Sequence, residues 1–471
     1  MRDYLNFYID GKFVAPLEPR TANVLNPATE EVSGRISLGG IADVDRAVAA
    51  ARAAFPAWSQ TSRETRIELL LAIQAEYERR KAEMADAIME EMGAPSALAH
   101  GFHVYLGSGH LQTAIEVLRE FKFEEQRGNT RILREPIGVC ALITPWNWPM
   151  NQVAVKCFPA LATGCTMVLK PPQLAPYSAQ ILAEIIDAAG VPAGVFNMIQ
   201  GSGAVIGTAL STHPEVDMIS FTGSEGVGVT IAQNAAPTVK RVCQELGGKS
   251  AFIVLDDASL AANVGIATST MMGNSGQTCS AGSRLLVPHA RMQDAIKAAR
   301  EAAEAVTVGD PRGNFAMGPV VSKGQYNLIQ EYIQKGLEEG AELIAGGPGR
   351  PEGLDKGYYV RPTVFVSSND TVIAREEIFG PVLVMIGYHD IDDAVAIAND
   401  SLFGLAGYVS GEDISQVRAI GRRLRAGWIG LNGGFDFHAA FGGYKRSGNG
   451  REWGEFGFHE YIEIKSLLGY A

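Results

Sequence analysis

The sequence predicts an α/β protein made of two domains and a small β arm. Three observations carry this. Short apolar strands alternate with helices from Val139 onward, the signature of βαβ units and a parallel sheet. A second alternating series follows Ser250. Between Phe121 and Pro136 the chain turns charged and extended, which suits a two-stranded arm that projects or pairs with another chain. The 471 residues allow two to four domains at roughly 100–200 residues each, and a chain of that length buries a large core without staples.

Taken in order, Phe7-Tyr8-Ile9-Asp10-Gly11-Lys12-Phe13-Val14 reads as a hairpin around Asp-Gly. Thr61-x-x-Glu64 has capping-box spacing, Ile67, Leu70 and Leu71 continue it at helical intervals, and Gly93 is the expected stop. Gly128-Asn129 turns the arm. Strands are expected at 139–143, 166–169, 195–199 and 218–222, with helices at 150–162, 177–189 and 203–210. The second series places strands at 284–288, 382–386 and 407–410 and helices at 291–305, 391–400 and 414–424. His459 to Leu468 reads as a last strand able to pair with the arm. The resulting division is 1–120 with 137–246 as one domain, 247–442 as the second, and 121–136 with 443–471 as bridging segments.

Composition excludes several classes. Apolar residues make up 46% and charged residues 20%, ordinary globular usage. A net charge of −12 argues against nucleic acid as a partner. Met1-Arg2-Asp3-Tyr4 lacks a signal-peptide pattern, and no apolar run reaches the roughly 18 residues of a spanning helix, so the expectation is a soluble, cytoplasmic protein without a membrane partner. Five cysteines (140, 157, 165, 243 and 279) form no C-x-x-C pair, which argues against a disulfide framework and against a metal site. The 53 glycines exceed the usual share of about 7% without any period or linker tract, so they mark tight turns and close backbone approaches.

Four places could carry chemistry. Gly201-Ser-Gly203-Ala-Val-Ile-Gly207 follows a strand and opens a helix, where free amides can face a phosphate; its spacing is one residue off the Rossmann fingerprint, and helix–strand packing is the alternative. Phe221-Thr222-Gly223-Ser224-Glu225-Gly226 repeats that context one unit later. Cys279, in Asn274-Ser275-Gly276-Gln277-Thr278-Cys279, has small polar neighbours and reads as either a nucleophile or an inert thiol. Glu245, before Leu246-Gly247-Gly248-Lys249, is either a solvated carboxylate or a base beside a ligand. Asn147, in Thr144-Pro145-Trp146-Asn147-Trp148-Pro149, either closes its own turn or donates to an oxyanion.

Together these segments resemble the aldehyde dehydrogenase superfamily of NAD(P)-dependent enzymes, along nearly the whole chain. Six motifs stand in family order: 145–149, 221–224, 245–249, 276–279, Glu377-Ile378-Phe379-Gly380-Pro381, and Phe441-Gly442-Gly443-Tyr444-Lys445-x-Ser447-Gly448. The resemblance implies a Rossmann-like dinucleotide-binding domain, a second α/β catalytic domain and a small β oligomerisation arm. It implies Cys279 as nucleophile, Asn147 and the Cys279 N–H as oxyanion donors, and Glu245 as the base that activates water. Glu452 and Lys156 would serve a proton relay. Lys170, Gly203, Gly223 and Ser224 would line the adenosine and pyrophosphate path of NAD or NADP. Glu377 would hold the nicotinamide ribose, with Phe379, Trp146, Ile143 and Thr144 as walls and backbone contacts.

Two departures stand out. Gln173 occupies a position where many relatives carry Glu; its neutrality removes a repulsion against a 2′-phosphate, so NADP becomes acceptable. Ala440 stands where Pro often precedes the Phe-Gly-Gly run. Phe102, Trp148, Gln152, Phe437 and Phe441 are expected to form the substrate pocket, which suggests an apolar or aromatic aldehyde. His103, His110 and His438 are expected to pack or lie on the surface. The arm and terminal strand imply a homodimer or homotetramer. Competing readings are an enzyme that passes the acyl group of a semialdehyde to coenzyme A, which Glu245 opposes, and a non-catalytic binding protein of the same fold, which the joint presence of Cys279, Glu245 and Asn147 opposes.

Overall fold

A computed structural model describes residues 1–470. Two seven-stranded sheets organise it. In the first, five strands run parallel in the spatial order Arg241–Glu245, Met218–Thr222, Val139–Ile143, Thr166–Lys170, Phe196–Met198. Numbered along the chain this is 5-4-1-2-3, the doubly wound arrangement whose ligands bind where the winding reverses. That reversal lies between Val139–Ile143 and Met218–Thr222. The Asp-Gly hairpin, Phe7–Ile9 with Lys12–Val14, extends the far edge antiparallel. Strand Val139–Ile143 is buried at every position, as expected for a strand covered by helices on both faces. Helices Arg63–Met92, Val104–Glu120, Pro149–Thr163 and Tyr177–Ala188 pack one face, and Ile41–Trp58 and Glu225–Ala235 the other.

The second sheet runs Glu342–Ala345, Thr363–Val366, Val382–Tyr388, Arg284–Pro288, Ala251–Val254, Ala406–Ser410, Trp428–Leu431, parallel except for its first pair. Three of its strands are absent from the sequence reading, as is Ala251–Val254. That segment is a short, fully buried apolar run without alternation, so periodicity alone cannot type it. A third sheet joins Glu124–Arg127, Thr130–Pro136 and Ile462–Leu468 antiparallel. A fourth, Arg2–Tyr4, Glu31–Ser37 and Thr21–Asn26, lies outside the sequence reading too; Gly34 and the polar residues around it break the strand pattern.

Some boundaries move. The long helix is capped by Ser62, whose hydroxyl accepts from Thr65 N at 3.1 Å, not by Thr61. Thr61 is taken up elsewhere, donating to Trp58 O and accepting from Arg66 Nε. Gly93 does end that helix, at φ +78°. The expected helix 203–210 splits into a π-turn Gly203–Gly207 and a short α-helix Thr208–Thr212. His459 belongs to a helix, Gly454–Glu460, and the last strand starts at Ile462. Of the described residues after 443, Ile462–Leu468 pairs with the arm as a strand, and Gly469 and Tyr470 donate to Asn129 O at its turn. Tyr444–Lys445 pairs with Phe403–Gly404, while Gly448 and Glu452 bridge to Glu245 and Phe441. Among the described residues no helix is long and apolar enough to cross a membrane.

Candidate active site

The carboxyl ends of the first sheet face the loop that precedes Arg284–Pro288. Between them lies a cavity of about 820 Å³ whose wall includes Cys279, Glu245, Thr222 and Glu452.

The loop holding Cys279 is an unusual piece of backbone. Asn274, Ser275 and Gly276 have φ of +53°, +56° and +70° in succession, a left-handed run that non-glycine residues enter only at a cost of order 1–3 kcal/mol each. Neighbouring bonds hold it there. Ser275 Oγ donates to Gly318 O at 2.9 Å, Gln277 Nε2 to Asn274 O at 3.1 Å, and Gln277 Oε1 accepts from Val321 N at 2.9 Å. Gly276 has no substitute, because a Cβ there would sit 2.1 Å from Gly380 O.

Asn147 is buried in the loop after Val139–Ile143, and its Nδ2 donates to Gln277 O at 3.1 Å. An amide nitrogen carries two hydrogens, so this bond aims the side chain beside the Cys279 loop and leaves one donor over. Trp148 Nε1 donates to Thr278 Oγ1 at 3.0 Å, a second tie between the two loops.

Glu245 ends its strand 2% exposed, and neither carboxylate oxygen has a hydrogen-bond partner among the described residues. Burial first, and then the nearby Glu452, push its carboxyl well above the usual range. Such a group is ready to take a proton. The Cys279 thiol is likewise pushed up, to about 12, by burial and then by Glu377 and Glu245. No cation or helix N-terminus lowers it, contrary to the usual way of activating a thiol. Lys156 Nζ is fully buried, paired with Glu452 and donating to Ser220 Oγ at 3.1 Å.

The residues expected along a dinucleotide lie at the carboxyl ends of the first sheet's strands, apart from Glu377 and Phe379, which precede Val382–Tyr388 of the second. Their fit can be judged from polar atoms left open. Thr144 Oγ1 and Thr222 Oγ1 are buried without a partner. Ser224 stands at the N-cap of Glu225–Ala235, yet its hydroxyl makes no capping bond. Gly203 and Gly226 face open space. Lys170, buried, spends its ammonium on one bond to Pro171 O, and burial lowers its pKa to about 8. Ile143 is buried at the end of its strand, and Gln173 lies half-buried just beyond Lys170. Glu377 accepts from Gly248 N at 2.9 Å, and burial raises its pKa to about 7. A Cβ on Gly247 would lie 2.2 Å from that carboxylate, so glycine there keeps Glu377 close to the backbone. Phe379, at φ +56°, meets Trp146 edge-on at 5.4 Å. Open amides, unpaired hydroxyls and a buried ammonium suit ribose and phosphate.

Phe102, Trp148, Gln152 and Phe441 line the cavity. Phe437 does not: its ring packs edge-on against His110 at 4.9 Å and fills the space beside Gly109. Phe435, two residues earlier, takes the wall position, joined by Trp453, Trp428 and Tyr408. Sequence reasoning missed Phe435 because the loop after Trp428–Leu431 has no periodicity; Phe435 and Phe437 share a face in an extended chain, and only packing separates them. Among the described residues no lysine, arginine or histidine lines the cavity. His110 is buried, its Nε2 2.8 Å from Asn151 Oδ1, whereas His438 is exposed beside Glu116. No cluster of three or more potential metal ligands occurs among the described residues.

Comparison with known proteins identifies the family. The model of the aldehyde dehydrogenase family matches residues 13–467. A 3-succinoylsemialdehyde-pyridine dehydrogenase from a Pseudomonas species is 52% identical over all of this chain and 99% of its own length. A cysteine-to-alanine variant of aldehyde dehydrogenase C from Pseudomonas syringae, solved with NAD+ and octanal, superposes with a TM-score of 0.98 at 49% identity, over 99% of this chain and 97% of that one. An aldehyde dehydrogenase of Mycobacterium tuberculosis solved with NAD+ gives 0.96 at 39% identity, over 99% and 98%. With a family match over residues 13–467 and relatives of about half identity along the whole chain, this chain belongs to the aldehyde dehydrogenase family.

Proposed function

We propose that the protein oxidises an uncharged apolar or aromatic aldehyde to its carboxylic acid, with NAD or NADP as hydride acceptor. The observation that carries this is that Cys279 and Glu245 line one cavity whose wall is rich in aromatic rings and, among the described residues, holds no basic side chain, with Asn147 anchored to the Cys279 loop through Gln277 O. The octanal bound by the Pseudomonas syringae neighbour and the pyridyl semialdehyde in the name of the Pseudomonas relative support the substrate class.

Cys279 Sγ attacks the aldehyde carbon and its proton passes to Glu245, giving a thiohemiacetal. The oxygen that gains charge accepts from the free hydrogen of Asn147 Nδ2 and from Cys279 N–H; one such donor contributes about 3–4 kcal/mol to the transition state. A dinucleotide held by the residues below would supply the acceptor for the hydride on that carbon, which would leave Cys279 carrying a thioester. Once Glu245 has passed the thiol proton on, it takes a second from water as the water adds to the thioester carbon; the C–S bond breaks, the acid departs and Cys279 remains as a thiolate. Glu452 and Lys156 carry the proton away. Thr144, Trp146, Lys170, Gln173, Gly203, Gly223, Ser224, Glu377 and Phe379 hold the dinucleotide, and Gln173 admits NADP. Residues 1–120 with 137–246 form the dinucleotide-binding unit and 247–442 the catalytic one.

The test is a panel of aliphatic, aromatic and carboxylate-bearing aldehydes, followed by cofactor reduction without coenzyme A. Turnover is expected with the first two groups. Strict dependence on coenzyme A overturns hydrolysis, and preference for a carboxylate-bearing semialdehyde overturns the substrate class.

A further inference from the structure

An irregular turn of helix lies against the nucleophile loop. Ala99–His103 winds as a π-turn just before Val104–Glu120, and such insertions re-aim side chains and gather at functional sites. Here Phe102 lines the cavity while His103, next to it, is wholly buried. The His103 ring stacks on Trp148 at 4.3 Å and 27°, and its Nε2 lies 3.2 Å from Asn274 Oδ1.

Asn274 is the first residue of the left-handed run. Its Nδ2 donates to Asn147 O at 2.9 Å and to Gln277 O at 3.3 Å. Gln277 O is also the carbonyl that anchors Asn147 Nδ2. One amide side chain therefore ties together the asparagine and the loop that present both oxyanion donors. An amide that faces two carbonyls with its nitrogen must point its oxygen the other way, toward His103, so Nε2 is the donor there. Nδ1 is left without a partner. Burial lowers the histidine's pKa to about 3, so what it offers is a hydrogen bond, not a charge.

We propose that His103 is a positioning residue for the oxyanion site, acting through Asn274. Without its donor, Asn274 is free to flip and place its oxygen against the carbonyls of Asn147 and Gln277, which repel it. The asparagine and the nucleophile loop then lose their common tie. This rests on the reading of Asn147 and Cys279 N–H as oxyanion donors.

The experiment compares His103→Phe, which keeps a stacking ring without a donor, with His103→Gln, whose amide restores a donor at similar reach, and with Asn147→Ala. Each is measured for kcat, aldehyde KM, dinucleotide Kd and Tm. His103→Phe is expected to lose about 10- to 100-fold in kcat with KM and Kd within about threefold, and His103→Gln to recover most of the loss. A kcat within twofold of wild type in His103→Phe, or no recovery in His103→Gln, overturns the proposal. Should His103→Phe not fold, Asn274→Ala removes the same bond from the other side, and wild-type kcat there overturns it equally. Activity retained by Asn147→Ala would instead overturn the underlying oxyanion reading. An inactive Asn147→Ala beside an active His103→Phe overturns only the role of His103.

Discussion

In the proposed reaction Cys279 and Glu245 carry the proton and carbon chemistry, and each is tuned by what surrounds it. The Cys279 thiol, pushed up to about 12 by burial and two carboxylates, is protonated in the resting protein. Below that value its thiolate fraction grows about tenfold per pH unit, so alkylation by iodoacetamide is expected to rise steadily from neutral to mildly alkaline pH. A plateau near neutrality would show a thiol activated by another route. Glu245 is raised by burial and by Glu452; the catalytic form is the deprotonated one, so turnover should climb with pH through a midpoint above the usual carboxylate range. Glu245→Gln should lower kcat by about 10²–10⁴-fold, slow the burst of cofactor reduction as well, because Glu245 also takes the Cys279 proton, and flatten that profile. For Gln173, the expected outcome of Gln173→Glu is a shift of kcat/KM toward NAD, because a carboxylate repels the 2′-phosphate; an unchanged ratio of NAD to NADP would remove Gln173 from cofactor choice. The residues of the six motifs were legible from sequence because their chemistry depends on residue type. Phe437 was not, because its neighbour Phe435 has the same chemistry and only packing decides which ring faces the cavity.

Elements bring these residues together through their ends. Glu245 closes a parallel strand, Asn147 follows another, and Cys279 leads into a third across the cleft. The alternation of strands and helices made the two sheets legible, since period and length suffice for βαβ units. Turn geometry was less so. Nothing in Asn274-Ser275 announces two left-handed residues in succession; the conformation is imposed by partners more than forty residues away, Gly318 and Val321 among them. Gly276 is the position in that turn where the sequence cannot vary, at φ +70° with Gly380 O behind it. Gly276→Ala therefore costs both left-handed strain and a backbone clash, of order 1–3 kcal/mol or more. The turn has to open to relieve them. We expect at least a tenfold fall in kcat, a lower Tm and weaker dinucleotide binding, because the displaced Gly380 adjoins Phe379 and lies three residues from Glu377. Wild-type kinetics in Gly276→Ala would show that the turn is not what places the thiol.

At the scale of the whole molecule, the third sheet is the part that one chain leaves unfinished. Ile462–Leu468 forms its outer edge, paired along seven positions with Thr130–Pro136, and an uncovered edge strand is a template for another chain. Its side chains alternate between faces. Ile464 and Leu468 share one face and are 69% and 81% exposed, with Tyr470 half exposed just beyond. The charged residues of the arm lie largely in ion pairs along its own surface, such as Arg134 with Glu125 and Lys465 with Glu135, so they do not blunt that apolar face. We therefore expect the arm to be covered by a second copy, giving a homodimer or a homotetramer. Ile464→Arg with Leu468→Arg would place two charges on that face while leaving the strand's backbone pairing and the distant cavity intact. Light scattering should then report a shift from an oligomer toward the 50.3 kDa single chain, with Tm lowered and the alkylation of Cys279 unchanged. An unaltered mass in the double variant would place the contact between copies elsewhere. A monomeric wild type would mean that this edge stays open.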